Sequence, residues 1–154
     1  IRHAQAEVAE PGQPDAERKL TVKGLEQAKT LRKTLEHLEV RLDVVFTSPW
    51  RRARQTASAL EAVADHLEVL DLLAAVPKQS LVKRIHEISA GHEHVALIGH
   101  QPWMSELTSV LLIGNSSAAS SFEYKKCALY ALSFTPAQCF LRFVLPSGVL
   151  RRLS

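Results

Sequence analysis

Leu42-Asp43-Val44-Val45-Phe46-Thr47-Ser48-Pro49-Trp50-Arg51-Arg52-Ala53-Arg54-Gln55-Thr56-Ala57 is one continuous stretch whose apolar period changes part-way. Leu42 to Thr47 is largely apolar and reads as a short buried strand. Ser48-Pro49 follows as a cap residue with proline at the first helical position. Trp50, Ala53, Ala57, Leu60 and Val63 then recur at helical spacing, which predicts a helix running to Val63. A strand that feeds straight into a helix is the repeating unit of an α/β domain.

The same alternation extends in both directions. Leu25, Ala28, Leu31, Leu35 and Leu38 mark an earlier helix with Thr21 as its cap. Leu67 to Leu70 is a second short strand. Pro77 and Ser80 precede a helix carrying Leu81, Ile85 and Ile88, which Gly91 ends. Val95 to Ile98 is a further buried strand, and a helix runs from beyond Pro102 to about Leu112. Residues 114–121 read as a loop. Residues 126–134 and 139–145 read as strands joined through Thr135-Pro136-Ala137-Gln138, an antiparallel hairpin. Ser147-Gly148 and Arg151-Arg152 are expected to end the chain without further structure. The prediction is a three-layer α/β sandwich with a mainly parallel central sheet flanked by helices. With no linker or repeat, residues 1–154 form one domain.

Composition narrows the function classes. The chain has 154 residues, 46% hydrophobic and 23% charged, enough for one self-sufficient core without staples. Its net charge of +3 suits an anionic ligand but is too small to argue for nucleic acid. Arg51, Arg52 and Arg54 lack the interleaved aromatics of a nucleic-acid surface. No apolar run approaches the roughly 20 residues of a membrane-spanning helix. The hairpin would keep Cys127 and Cys139 apart, so no disulfide is expected and a reducing cytoplasm suits them. His92, Glu93 and His94, with His86 nearby, invite a metal reading. They precede their strand, however, and lack a completing ligand set, so a solvated loop is expected and no metal or cofactor.

In open α/β sheets ligands bind beyond the carboxyl ends of the strands. Three unusual segments fall there: Arg2-His3-Ala4, Ser48-Pro49-Trp50-Arg51-Arg52-Ala53-Arg54-Gln55-Thr56, and Gly99-His100-Gln101-Pro102. Two histidines and several arginines thus converge on one rim from distant parts of the chain. Together these motifs resemble the signatures of the histidine phosphatase superfamily, with its phosphoglycerate mutase-like fold. Arg18-Lys19-Leu20-Thr21-Val22-Lys23-Gly24, Gly99-His100-Gln101-Pro102 and the small size resemble its SixA-like phosphohistidine phosphatase branch.

The resemblance implies that His3 is a nucleophile forming a phosphohistidine intermediate. It implies that Arg2, Arg52 and His100 surround the phosphoryl group, with Arg18 as an additional phosphate contact. Arginine forks suit that role because they bind phosphoryl oxygens in a planar, bidentate way. His100 would add a cationic donor if protonated. Arg51 and Arg54 lie on other helix faces and are expected in solvent. The resemblance implies a carboxylate acid in many larger members of the family and none in the SixA-like branch. Asp15, Glu17 and Asp71 remain open as candidates here. Trp50 and Trp103 either line the pocket mouth or pack helix to sheet. The family's usual strand before Arg-His is represented only by Ile1, and the expectation is that upstream residues are omitted from the numbering. The implied partner is a phosphorylated protein or a small phosphorylated metabolite. A non-catalytic phosphoprotein-binding module is the contrasting class.

Overall fold

The computed structural model describes residues 1–135 and 137–153. Its regular elements are α1 (Val22–His37), β1 (Leu42–Thr47), α2 (Arg51–Ser58), β2 (Ala64–Val69), α3 (Gln79–Gly91), β3 (Val95–Ile98), α4 (Trp103–Ile113), β4 (Leu129–Phe134), β5 (Cys139–Leu145) and α5 (Ser147–Leu153). The expected layers are present: a parallel sheet of order β2-β1-β3 flanked by helices, and an antiparallel β4-β5 pair.

Alternation along β1 builds the two halves of the core. Successive strand side chains point to opposite faces. Val45 joins Ala28, Leu31, Ala53 and Ala57 from α1 and α2, while Val44 and Phe46 join Leu81, Ile85, Ile88 and Leu107 from α3 and α4. Thr21 caps α1 as expected, its Oγ1 accepting from the Gly24 amide at 3.0 Å. Gly24 is required by crowding, since a Cβ there would overlap the Gln5 carbonyl oxygen.

Several boundaries differ from the sequence expectations. The second helix begins at Arg51 and ends at Ser58, with the remaining turn, Glu61–Val63, tightened to 3-10 geometry. Leu60 and Val63 are still buried, so the apolar period survives the change of helix type. β2 starts at Ala64 because the parallel register already pairs Ala64 with Leu42. The tail after Ser147 is helical. Leu150 is buried in the core, and its carbonyl accepts from Thr34 Oγ1 of α1 at 3.3 Å. In the hairpin, Phe134 pairs with Cys139, and Pro136 lies outside the described residues. Cys127 and Cys139 are free and buried.

The segment Ile1–His3 ties the two sheets together. Gly99 N donates to Ile1 O and His3 N donates to Gly99 O, continuing the ladder of β3. On its other side, Arg2 N donates to Ala128 O and Cys127 N reaches the Arg2 carbonyl. The backbone of His3 is therefore fixed from both flanks. No helix among the described residues is long and apolar enough to cross a membrane.

Candidate active site

β1 and β3 are neighbours paired from Val44–Val95 to Thr47–Ile98. The helices that follow them, α2 and α4, depart to opposite faces of the sheet. Such a point of divergence leaves a crevice at the strand ends. His100, just beyond β3, and His3 from the first segment meet there in a pocket of about 390 Å³, and Ser48, just beyond β1, hydrogen-bonds to His100.

His3 is 6% exposed. Its Nδ1 lies 2.7 Å from the Ala4 carbonyl oxygen. A carbonyl only accepts, so that nitrogen carries the proton and Nε2 keeps its lone pair. Nε2 receives the Nε–H of Arg52 at 3.2 Å. Burial pushes the His3 pKa down to about 4. The Ala4 carbonyl opposes that shift, and Arg52, Arg2 and Arg18 add to it. A neutral, tautomerically defined imidazole is the nucleophilic form.

Arg52 is the buried arginine of its helix, whereas Arg51 and Arg54 are exposed. Helical phase explains the choice, because Arg52, Ala53, Thr56 and Ala57 share the inward face. Its Nη1 donates to the Asp15 carbonyl at 2.6 Å and Nη2 to Asp15 Oδ2 at 2.8 Å. The guanidinium also lies 4.5 Å from the Trp50 ring centroid. Thr56 Oγ1 donates to Arg52 O and accepts from Ala4 N, tying α2 to the His3 segment.

Arg2 donates through Nη1 to Tyr124 O at 2.7 Å, while its buried Nε has no protein partner. Arg18 reaches the same pocket, donating to Glu7 O, and its Nε lies 2.7 Å from Asp15 Oδ1 as an ion pair without hydrogen-bond alignment. All the residues expected around the anion, His3, Arg2, Arg18, Arg52 and His100, thus line one cavity, with Lys126 as an additional cation.

His100 is 2% exposed and its Nε2 is 2.7 Å from Ser48 Oγ. Ser48 was expected to cap α2. Its hydroxyl turns instead to His100, and α2 begins without a side-chain cap. Ser48 is therefore a partner of His100 that sequence reading missed. Its partner is 52 positions away, and a serine before proline carries an ordinary capping signal. The remaining ring nitrogen, Nδ1, is buried without a protein partner. Burial lowers the His100 pKa to about 3, with His3 and Arg52 contributing, although Asp15 works the other way. The cationic donor considered from sequence is consequently neutral in the protein alone. A phosphoryl anion would favour its protonated form.

Of the three candidate acids, Asp15 alone lines the pocket; Glu17 and Asp71 are exposed and do not. Burial alone would raise the Asp15 carboxyl, but hydrogen bonding and charge from Arg52, together with Arg18, hold it below the ordinary carboxylate range. It is ionised near neutral pH. Trp50 and Trp103 line the pocket, which decides between the two sequence readings. His92 Nδ1 bonds to Ile88 O, and among the described residues no group of three or more His, Cys, Asp or Glu side chains could hold a metal ion.

These shifts set a pH dependence. Both rings titrate near 6.5 when unperturbed and lower in the fold, so the unfolded chain binds more protons between those values. Stability contributed by the two histidines is complete above about pH 6.5 and falls as pH drops toward 3. NMR of ring-labelled protein is expected to show His3 and His100 neutral at pH 5.5. Tungstate should move the His100 midpoint upward. A midpoint near 6.5 for either ring in free protein contradicts this electrostatic picture.

Residues 1–74 match the model of the histidine phosphatase superfamily (branch 1), a span that contains two of the three motifs. The third, Gly99-His100, closes the same pocket.

Over residues 1–74, just under half of its length, the chain is similar to the histidine phosphatase superfamily.

An uncharacterized protein of Picosynechococcus sp. is 32% identical over 108 residues, covering 66% of this chain and 64% of that protein. The chain thus spans just under two thirds of the length of that relative. The histidine phosphatase fold is borne out along nearly the whole chain. The protein histidine phosphatase SixA, solved with tungstate, superposes with a TM-score of 0.85 at 21% identity, covering 97% of this chain and 96% of the other. The alpha-ribazole phosphatase of Shigella flexneri superposes at 0.77 with 18% identity, covering 96% and 95%. At these identities the likeness concerns the fold.

Proposed function

We propose that this protein is a phosphatase working through a phosphohistidine at His3, with phosphohistidine side chains of proteins as its substrates. The observation that carries the reading is the Nε2 lone pair of His3, fixed by the Ala4 carbonyl and faced by the Nε–H of Arg52.

In the first step His3 Nε2 attacks phosphorus and the bond from phosphorus to the leaving nitrogen breaks. Positive charge develops on the His3 ring, and the Ala4 carbonyl stabilises it through Nδ1–H. Arg52, Arg2 and Arg18 supply donors for the phosphoryl oxygens as charge redistributes. His100 contributes through Nδ1 when Ser48 donates its proton to Nε2. In the second step water attacks phosphorus and His3 leaves as the neutral imidazole it was, releasing inorganic phosphate. The water proton passes to the phosphate or to solvent.

The state of Asp15 supports the substrate class. A poor alkoxide leaving group needs an acid, and the pocket's carboxylate is held ionised by two arginines. A phosphorylated imidazole protonated on its second nitrogen departs neutral without one. The two free thiols suit a reducing cytoplasm, where we place the protein.

Turnover should be measured in parallel on a phosphohistidine protein and on a panel of sugar phosphates, phosphoserine and ribazole phosphate. Faster hydrolysis of the phosphohistidine protein is expected. Faster hydrolysis of any monoester overturns the substrate assignment. Anion binding with no hydrolysis of any member would make the protein a phosphoprotein-binding module.

A further inference from the structure

Trp50 and Trp103 have no part in the phosphoryl chemistry above, yet both line the pocket and both are only half-buried. They continue an aromatic series that starts at the nucleophile. His3 and His100 have ring centroids 5.0 Å apart, His100 and Trp50 4.4 Å, and Trp50 and Trp103 5.5 Å. The series passes from two buried imidazoles to two half-exposed indoles, from the reacting centre to the mouth. Trp50 is engaged by the Arg52 guanidinium, and Trp103 stands nearly perpendicular to both Trp50 and His100, at 69° and 83°.

Apart from Ala6 and Gln101, the rest of the pocket is cationic, from Arg2, Arg18, Arg52 and Lys126, with Asp15 already paired. Such a lining holds the phosphoryl group and disfavours a substrate ring that is itself positively charged. Indole faces do the reverse, since their quadrupole attracts a cation and their area stacks on a planar ring. At about 390 Å³ the cavity has the size of a site for a small organic group together with its anion.

We propose that Trp103, backed by Trp50, is the specificity surface for a planar ring that is cationic while still bonded to phosphorus, the N-phosphorylated imidazolium of a phosphohistidine. The proposal rests on the phosphatase reading above. It assigns to this chain's own indoles the discrimination between a ring and a leaving group without one.

Phosphohistidine and phosphoramidate both carry a phosphorus–nitrogen bond, but phosphoramidate releases ammonia and has no ring to stack. The test compares kcat/KM for the two compounds in wild type, Trp103→Leu and Trp103→Phe. Trp103→Leu is expected to lower the phosphohistidine-to-phosphoramidate ratio by roughly 3- to 10-fold. Trp103→Phe should restore most of that ratio because it returns an aromatic face. An unchanged ratio in Trp103→Leu, or an equal loss in Trp103→Phe, overturns the assignment while leaving the phosphatase reading intact. If wild type hydrolyses neither compound, the phosphatase reading itself fails. Thermal unfolding of each variant separates a lost fold from a lost contact.

Discussion

His3→Ala is expected to lower turnover at least about 10⁴-fold, the scale on which removal of a covalent nucleophile acts. The fold should persist. Alanine keeps the backbone bonds from His3 N to Gly99 O and from Cys127 N to the His3 carbonyl, which hold the segment in place. The side chain's own bonds are to Ala4 O and Arg52, both beside a pocket that water can enter. Stability should change by only about 1 kcal/mol. Steady-state assay on a phosphohistidine protein, with circular dichroism on the same sample, checks both halves. Activity within tenfold of wild type would remove His3 from the role of nucleophile.

Arg52→Lys is expected to cost about 10³-fold in kcat/KM although it conserves the charge. Arg52 works by shape. One edge of its guanidinium is pinned by Asp15 through Nη1 and Nη2, which fixes the direction of Nε toward His3. A lysine ammonium has no rigid fork and cannot satisfy the Asp15 carbonyl, the Asp15 carboxylate and the reacting centre together. Arg52→Ala should lose at least as much. Retention of activity within about threefold by the lysine variant would show that charge alone suffices.

The sequence was informative where a local period or a motif carried the message. β1, β3 and α1 sit within a residue or a few of their expected positions, because short continuous apolar runs and a 3.6-residue helical period are legible in the sequence. The preference for Arg52 over Arg51 and Arg54, drawn from a family motif, agrees with helical phase and burial. What local reading missed was tertiary. Ser48 looked like a cap and became a partner of His100. Asp15 had no motif, yet it reaches Arg52 across 37 positions, a contact that exists only once the segment before α1 folds over α2. The C-terminal helix α5 was not foreseen from Ser147-Gly148 and Arg151-Arg152; it is held by burial of Leu150 and its bond to Thr34 of α1.

Asp15 also changes the meaning of the missing acid. From sequence it was one of three open candidates. In the structure its carboxylate is shared by two arginines and held ionised, which makes it a positioning group for Arg52. On the proposed reading, such a site suits leaving groups that need no external proton.

The most direct test of the central claim is the covalent intermediate itself. Wild-type protein mixed with phosphoramidate and quenched rapidly in alkaline denaturant should carry one phosphoryl group, mapped by mass spectrometry to His3. The label should be stable to alkali, lost in acid, and absent from His3→Ala. A phosphoryl group mapped to any other residue, or none in a protein that turns over, would contradict the account.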